Sequence, residues 1–453
     1  MPMKSITTVL LHALQFTGHC FAGVVSDPRV PHIHVLRQQA EVRVAWLGKR
    51  LEDLLPTLMR REGIDLWLII AREYNEDPVV ETMLPATWLR ARRRTVLMFY
   101  DPGPGQAVER LAVSRYAPGP WYEASWSPED QPDQWQRIAE LIRERDPKRI
   151  GINRSTIFPL ADGLSATEHE ALVAAIGPRF AKRLTSAENL AIAWLETRIP
   201  EEMAVYPVIV RAAHAIIAEG MSERVITPGV TMTDDIAWWY RERIRALGLE
   251  TWFHPTVSLE RASETEESMK AQFAGKKKSL VIEPGDLLHV DFGITYLGLN
   301  TDTQHHGYVL RRGETDAPQG LKDGIAAGNR VQDILMSHFR TGISGNDLKD
   351  TARRAVAAAG IDGVIYSHAI GYHGHGAGPW VGMWDDPEAR PEVGEYPVQP
   401  HTAWSIELNV RKAVPEWDNQ PVRFKSEEDA YFDGEQVLFL DGRQEALHLI
   451  PRQ

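Results

Sequence analysis

From about Val35 to Thr185, segments with apolar residues at helical spacing alternate with short, continuously apolar runs. Leu51 to Arg61 and Trp135 to Asp146 carry the helical period, whereas Leu66 to Ile70, Thr95 to Tyr100 and Arg149 to Ile152 are apolar runs of strand length. Gly63-Ile64-Asp65 supplies the stop of the first helix and the turn into the strand that follows. This alternation predicts an α/β domain over residues 35–187. A polar stretch at Thr185 to Glu188 breaks the pattern and places a boundary near residue 188, with a second domain over 188–453.

The second domain opens on Pro200-Glu201-Glu202, a proline and two acids suited to a first helical turn, with Pro207 expected to kink or delay the helix. Thr233, ahead of Asp234 and Asp235, is expected to cap a helix that stops at Gly248. From Leu280 onward the pattern is mostly strand, interrupted by helices near Asp323 to Phe339 and Asn346 to Ala359, so this half reads as α+β.

Composition narrows the function classes. The chain has 453 residues and 50 basic against 62 acidic side chains, a net charge of −12 that argues against nucleic acid or an anionic membrane surface as the main partner. No run approaches the length of apolar sequence that a membrane span requires. The single cysteine, Cys20, cannot form an internal disulfide, so any metal site must use oxygen and nitrogen ligands. The first 26 residues, with Lys4, then Ile6, Val9, Leu10, Leu11 and Leu14, then the small Ala22, Gly23 and Ser26, have the layout of a secretory signal or of an N-terminal tail. The first reading implies a periplasmic or secreted protein, the second a cytoplasmic one.

The chemistry concentrates in acids set within apolar strands. Asp291 and Asp302 lie eleven residues apart across an expected hairpin with Gly298 and Asn300 near its turn. A turn centred on Tyr296 and Leu297 would set the two acids directly opposite each other on one face. Downstream come the glycine-dense His373-Gly-His375-Gly-Ala-Gly378, then Ser405-Ile-Glu407 and Glu427-Glu428-Asp429. An acid directed into a core is costly unless paired or metal-bound. Four carboxylates and one neutral imidazole carry −4, which two divalent cations neutralise. Strand alternation allows only one of Glu427 and Glu428 to face inward.

These segments, with Trp194-Leu-Glu-Thr-Arg-Ile-Pro200-Glu201-Glu202 and Gly285-Asp-Leu-Leu-His-Val-Asp291-Phe-Gly293, resemble the pita-bread metallopeptidases: aminopeptidase P, prolidase, methionine aminopeptidase and the metal-free creatinase. The resemblance covers residues 40–445. It implies a C-terminal pita-bread α+β domain behind an N-terminal α/β domain of the creatinase-N type, and a homodimer. It further implies a binuclear centre in which Asp291 binds one metal, His375 and Glu407 the other, and Asp302 and Glu427 bridge the two, with His373 and Glu428 as alternatives. A hydroxide between the metals would be the nucleophile in hydrolysis of an N-terminal or dipeptide amide bond, Xaa-Pro-like, with Glu407 as proton shuttle. Manganese suits the oxygen-rich donors best, with cobalt, iron or zinc as alternatives.

The chain departs from the proline-specific members of that family at three outer histidines. The positions seven after and four before His375 are Gly382 and Gly371, and the one about seventeen before Asp291 is Ala274. His373 and His368 are the candidates to supply the missing catalytic imidazole. These gaps leave two other readings, a two-metal hydrolase of another amide or ester and a peptide-binding module on the same fold.

Overall fold

The computed structural model describes residues 30–262 and 279–452. The leader-like stretch with Cys20, and Ala274, lie outside the described residues.

In the N-terminal half a six-stranded mixed sheet runs in the order Glu123–Ala124, Glu109–Val113, Arg94–Tyr100, Leu66–Arg72, Ile150–Ile152, Leu184–Ser186. Its central strands are covered on both faces, which is why they read as unbroken apolar runs. Trp67, Ile69, Leu97 and Phe99 pack with the helices Leu55–Glu62 and Glu188–Glu196, while Leu66, Leu68, Val96 and Met98 pack with Gln134–Arg145 and Ala166–Ala181. The first helix is longer than its sequence period suggests: Leu36–Lys49 continues through a π-helical turn, Arg50–Leu54, into Leu55–Glu62.

The C-terminal half contains three main sheets. Strands His448–Ile450, Thr303–Val309, Leu287–Phe292 and Thr256–Glu260 form a four-stranded sheet. Leu288, Val290 and Phe292 face the helices Tyr206–Gly220 and Thr233–Ala246, so alternation sends His289 and Asp291 to the opposite, inner face. The helix Gln319–Met336 covers the strands Leu408–Val414 and Gln420–Ser426 in the same way, and Gly345–Ala358 packs beside it against Gly363–Ile365 and Trp380–Val381. Tyr206–Gly220 is the most apolar helix among the described residues, and its Ile209, Ala213, Ile216 and Ile217 are fully buried in protein. Pro207 sits in its first turn, where no intrahelical donor is lost, after the short helix Pro200–Met203.

Two local expectations shift by one residue. Met232, not Thr233, is the N-cap; Asp235 Oδ2 accepts its N–H at 2.8 Å, and the buried Thr233 hydroxyl instead accepts from Leu280 N. The hairpin turn falls on Leu297-Gly298, both at positive φ, with Tyr296 opposite Leu299. That register sets Asp291 opposite Gln304 rather than Asp302. Asp302 is the diagonal neighbour on the same face, a placement that separates two like charges.

The halves are joined by a buried ionic cluster. The π-helical turn aims Arg50 at Glu202 (3.1 Å) and at the Thr197 carbonyl (2.8 Å), with its guanidinium 4.5 Å from the Trp194 ring centroid and 4.9 Å from that of Tyr372. Arg198 lies 3.3 Å from Glu202 and 4.5 Å from the Tyr372 ring, and Tyr372 Oη donates to Glu202 at 2.5 Å. Burial alone would raise Glu202, but the two arginines hold its carboxyl below the usual range.

Glu196 is the opposite case. It accepts from Tyr396 Oη at 2.9 Å, its second oxygen is buried without a partner, and burial raises its pKa to about 8. A folded pKa above the unfolded one gives stability that is full below about pH 4.5 and is lost as pH rises through about 8. Glu196→Gln, which removes the charge, should therefore be more stable than the unaltered protein at pH 9 by a few kcal/mol and lose that advantage near pH 5. Denaturant midpoints at the two pH values check this, and an equal difference at both would refute it.

Candidate metal centre

Three chain segments change sheets at one place. Gly363–Ile365 passes into Ser367–Ile370, Thr402–Ser405 into Leu408–Val414, and Gln420–Ser426 into Asp429–Phe432, each crossing between a three-stranded and a five-stranded sheet. The residues at the crossings are Tyr366, Ile406-Glu407 and Glu427-Glu428. Backbone hydrogen bonds tie this seam together: Tyr366 N to Glu407 O, Ile406 N to Glu428 O, and Gln304 N, from the four-stranded sheet, to Glu427 O. A strand that breaks its pairing in this way re-aims its side chains.

The seam collects the predicted acids. Asp291, Asp302 and Glu427 have oxygens within 4.8 Å of one another, and so do ligand atoms of His368, Glu407 and Glu427. Asp302 is buried and held by its own N–H, which donates to both oxygens of Asp429 at 3.2 Å. Burial and the charges of Glu427, Asp291 and Glu407 push Asp302 well above the usual range. Glu407 is raised well above it by burial, Glu427 and Asp291, and Glu427 is raised to about 7, chiefly by burial. The arrangement is costly as it stands and is relieved by positive charge placed among the oxygens.

The imidazoles sort by depth. His368, in the strand Ser367–Ile370, is buried with Nε2 at 3.7 Å from Asp302 Oδ2, 3.7 Å from Glu427 Oε1 and 4.0 Å from Glu407 Oε2. None of these is a hydrogen bond, and Nε2 has no other partner. A buried nitrogen lone pair facing three carboxylates across a gap fits a divalent cation, and the donor set of four carboxylates and an imidazole fits it chemically. His375 also reaches Asp302 and His368, but it is exposed, with its ring edge-on at 4.5 Å from that of His368 and 4.8 Å from that of Trp252. His373 enters none of these groups among the described residues; its Nε2 is buried without a hydrogen-bond partner. His373 and His375 stand two residues apart, but strand alternation does not put them on one face because Gly371–Gly378 is a series of bends, not a strand. Trp252 shapes that path, since a Cβ at Gly374 would meet its ring at 2.4 Å.

Glu427 faces the cluster, and Glu428 faces away from it, toward His214 and His305. Burial would lower His214, but Glu428 and Asp441 raise it to about 10. Three residues not singled out from the sequence also shape the centre. Gln304 Nε2 donates to Glu407 Oε1 and Glu427 Oε2, both at 2.6 Å, its Oε1 lies 2.8 Å from His289 Nε2, and Ser405 Oγ donates to Glu427 Oε1. Trp252, beside His375, is the third. Gln304 and Ser405 each stand two residues from an acid of the cluster, so strand alternation was the available signal. Trp404, by contrast, is core, packed on Phe339.

The sequence profile of metallopeptidase family M24 matches residues 208–431, the stretch that carries every acid of the centre. Residues 208–431 form a domain of metallopeptidase family M24. This M24 domain has the pita-bread fold, and solved structures share the fold of the chain at low identity. The X-Pro aminopeptidase of Thermotoga maritima MSB8 superposes with a TM-score of 0.60 at 16% identity, over 87% of this chain and 99% of its own. A dipeptidase of Pyrococcus horikoshii OT3 gives 0.56 at 17%, over 88% and 99%, and the Xaa-Pro dipeptidase of Bacillus anthracis 0.53 at 15%, over 92% and 100%. No curated protein matches the chain in sequence.

The depth of the two imidazoles gives a direct test. After loading with Mn²⁺, His368→Ala should lose bound metal while His375→Ala keeps it, as read by elemental analysis of the desalted proteins. The reverse pattern would assign the ligand to His375.

Proposed function

We propose that this M24 protein is a two-metal peptidase that cleaves short Xaa-Pro peptides at the N-terminal bond. The observation that carries the reading is the position of His368. If His368 rather than His375 is the imidazole ligand, the residue seven positions later, where the proline-specific peptidases carry a histidine, is His375 itself. One of the outer-shell positions left empty by the first assignment is then filled, and its ring lies at the mouth of the centre against His368.

In this reading Asp291, Asp302, His368, Glu407 and Glu427 would hold the cations, since their ligand atoms converge at the seam. Manganese is the metal best suited to these oxygen-rich donors. The cations, when bound, supply an acidified water and polarise the scissile carbonyl. The remaining work falls to side chains of the chain. Glu407 is more exposed, at 14%, than Asp302 at 5% or Glu427 at 1%. With Oε1 fixed by Gln304, its Oε2 is the atom placed to take a proton and return it to the leaving amine. Exposed His375, steadied by Trp252, is placed to hold the substrate and donate to the developing oxyanion.

A panel of dipeptides and tripeptides with and without Mn²⁺ tests the proposal. Xaa-Pro peptides should be hydrolysed, and Asp302→Asn should abolish both activity and metal-dependent thermal stabilisation. His375→Ala should keep its metal and lose about 10² to 10⁴-fold in turnover. Two bound metals without Xaa-Pro hydrolysis would remove the specificity, and no bound metal would remove the two-metal reading.

A further inference from the structure

Behind the seam lies a polar cluster that the proposed reaction does not use. Glu428 accepts from three directions: His214 Nε2 stands 3.0 Å from Oε2, His305 Nε2 3.0 Å from Oε1, and Gln444 N–H donates to Oε1 at 2.7 Å. Each imidazole is held in turn, His214 Nδ1 at 3.1 Å from Asp441 Oδ2 and His305 Nδ1 at 3.2 Å from His448 Nε2. The groups come from the helix Tyr206–Gly220, the strand Thr303–Val309, the strand His448–Ile450 and the segment before it, so the cluster ties separate elements to one carboxylate.

His214, His305 and Glu428 are also close enough to be read as a metal site, with ligand atoms within 4.8 Å of one another. The spacing decides against that. At the seam His368 Nε2 faces its carboxylates across 3.7 to 4.0 Å with no hydrogen bond, which leaves room for an ion. Around Glu428 the contacts are all 2.7 to 3.2 Å, and the donors and acceptors are spent on each other.

We propose that His214, His305 and Glu428 form a positioning cage that holds Glu427 toward the other acids of the seam, where it would serve as a metal ligand. Glu427 and Glu428 are joined by one peptide bond at the point where the strand changes sheets, and their side chains project to opposite sides. Glu427 must project toward Asp302, Asp291 and Glu407, whose charges repel it, and no regular strand pairing pins its side. Three hydrogen bonds on Glu428 prevent the pair from rotating away. His305 belongs to the same strand as Gln304, so one strand grips the peptide from both sides: Gln304 from the metal side, His305 from behind. The inference rests on the two-metal reading and adds the outer residues that hold Glu427 in position before metal binds.

The test compares Glu428→Gln and His305→Asn with the unaltered protein by calorimetric titration of metal-stripped protein with Mn²⁺, by melting of the metal-free forms, and by kcat and KM on an Xaa-Pro dipeptide. Both variants should bind Mn²⁺ about 10 to 100-fold more weakly, with kcat reduced, KM little changed, and kcat recovering at high Mn²⁺. Should Glu428→Gln fail to fold, His305→Asn carries the test, because it leaves Glu428 paired with His214 and Gln444. A lower metal-free melting temperature with unchanged affinity and kcat would make the cluster merely structural and overturn the proposal. So would three bound metals in the unaltered protein and two in the variants, which would make the cluster a metal site. If the unaltered protein binds no Mn²⁺, the two-metal reading falls and takes the cage with it; two metals bound equally by all three proteins sinks the cage alone.

Discussion

The structure around the centre depends on the mutual repulsion of carboxylates packed closely in a largely buried place. Asp291, Asp302, Glu407 and Glu427 converge on one seam, and their crowding raises the protonation range of the last three. Several features act to tolerate that crowding. The hairpin register separates Asp291 from Asp302 diagonally. Gln304 and Ser405 donate to the acids without adding charge, and Asp429 fixes the backbone of Asp302. The gap in front of His368 Nε2 is where cations would complete the balance.

The fold supplies that seam by sending three segments from one sheet into another at adjacent points. A regular strand would alternate its side chains and hold at most every second residue toward one side. A strand that leaves its partner at Glu407 or at Glu427 frees that residue to turn inward, and the cross-seam backbone hydrogen bonds keep the break from spreading. Helices on the outer faces then bury the strands' apolar residues, so the polar side chains are left facing the inner cavity.

A second constraint comes from the N-terminal half. Arg50 and Arg198 enclose Glu202, and both stack on Tyr372, at the start of the glycine-rich loop that carries His375. Breaking a fully buried pair of this kind by removing one partner costs about 3 to 5 kcal/mol. The path of the loop is therefore coupled to the contact between halves, and Trp252, seated on Gly374, holds it from the other side.

Much of this was legible in the residues themselves. The strands Leu66–Arg72 and Arg94–Tyr100 follow from unbroken apolar runs, and the helices Gln134–Arg145 and Gly345–Ala358 from their period, because burial on two faces or one leaves a direct imprint on sequence. The acids of the centre stood out for the same reason, as charges where a strand pattern calls for apolar residues. The family resemblance, drawn from those segments, agrees with the M24 match. What sequence could not settle was anything that depends on how separate segments meet. A single residue of turn placement decided whether Asp302 or Gln304 stands opposite Asp291. The depths of His368 and His375 were set by where Ser367–Ile370 lies in its sheet and by the bends after it, neither of which leaves a periodic trace. The grip on Glu428 joins residues 214, 305, 441 and 448, far apart along the chain. Local pattern records which side chains must be buried; only the packed chain decides which of them face each other, because that depends on crossings between sheets that no short stretch of sequence encodes.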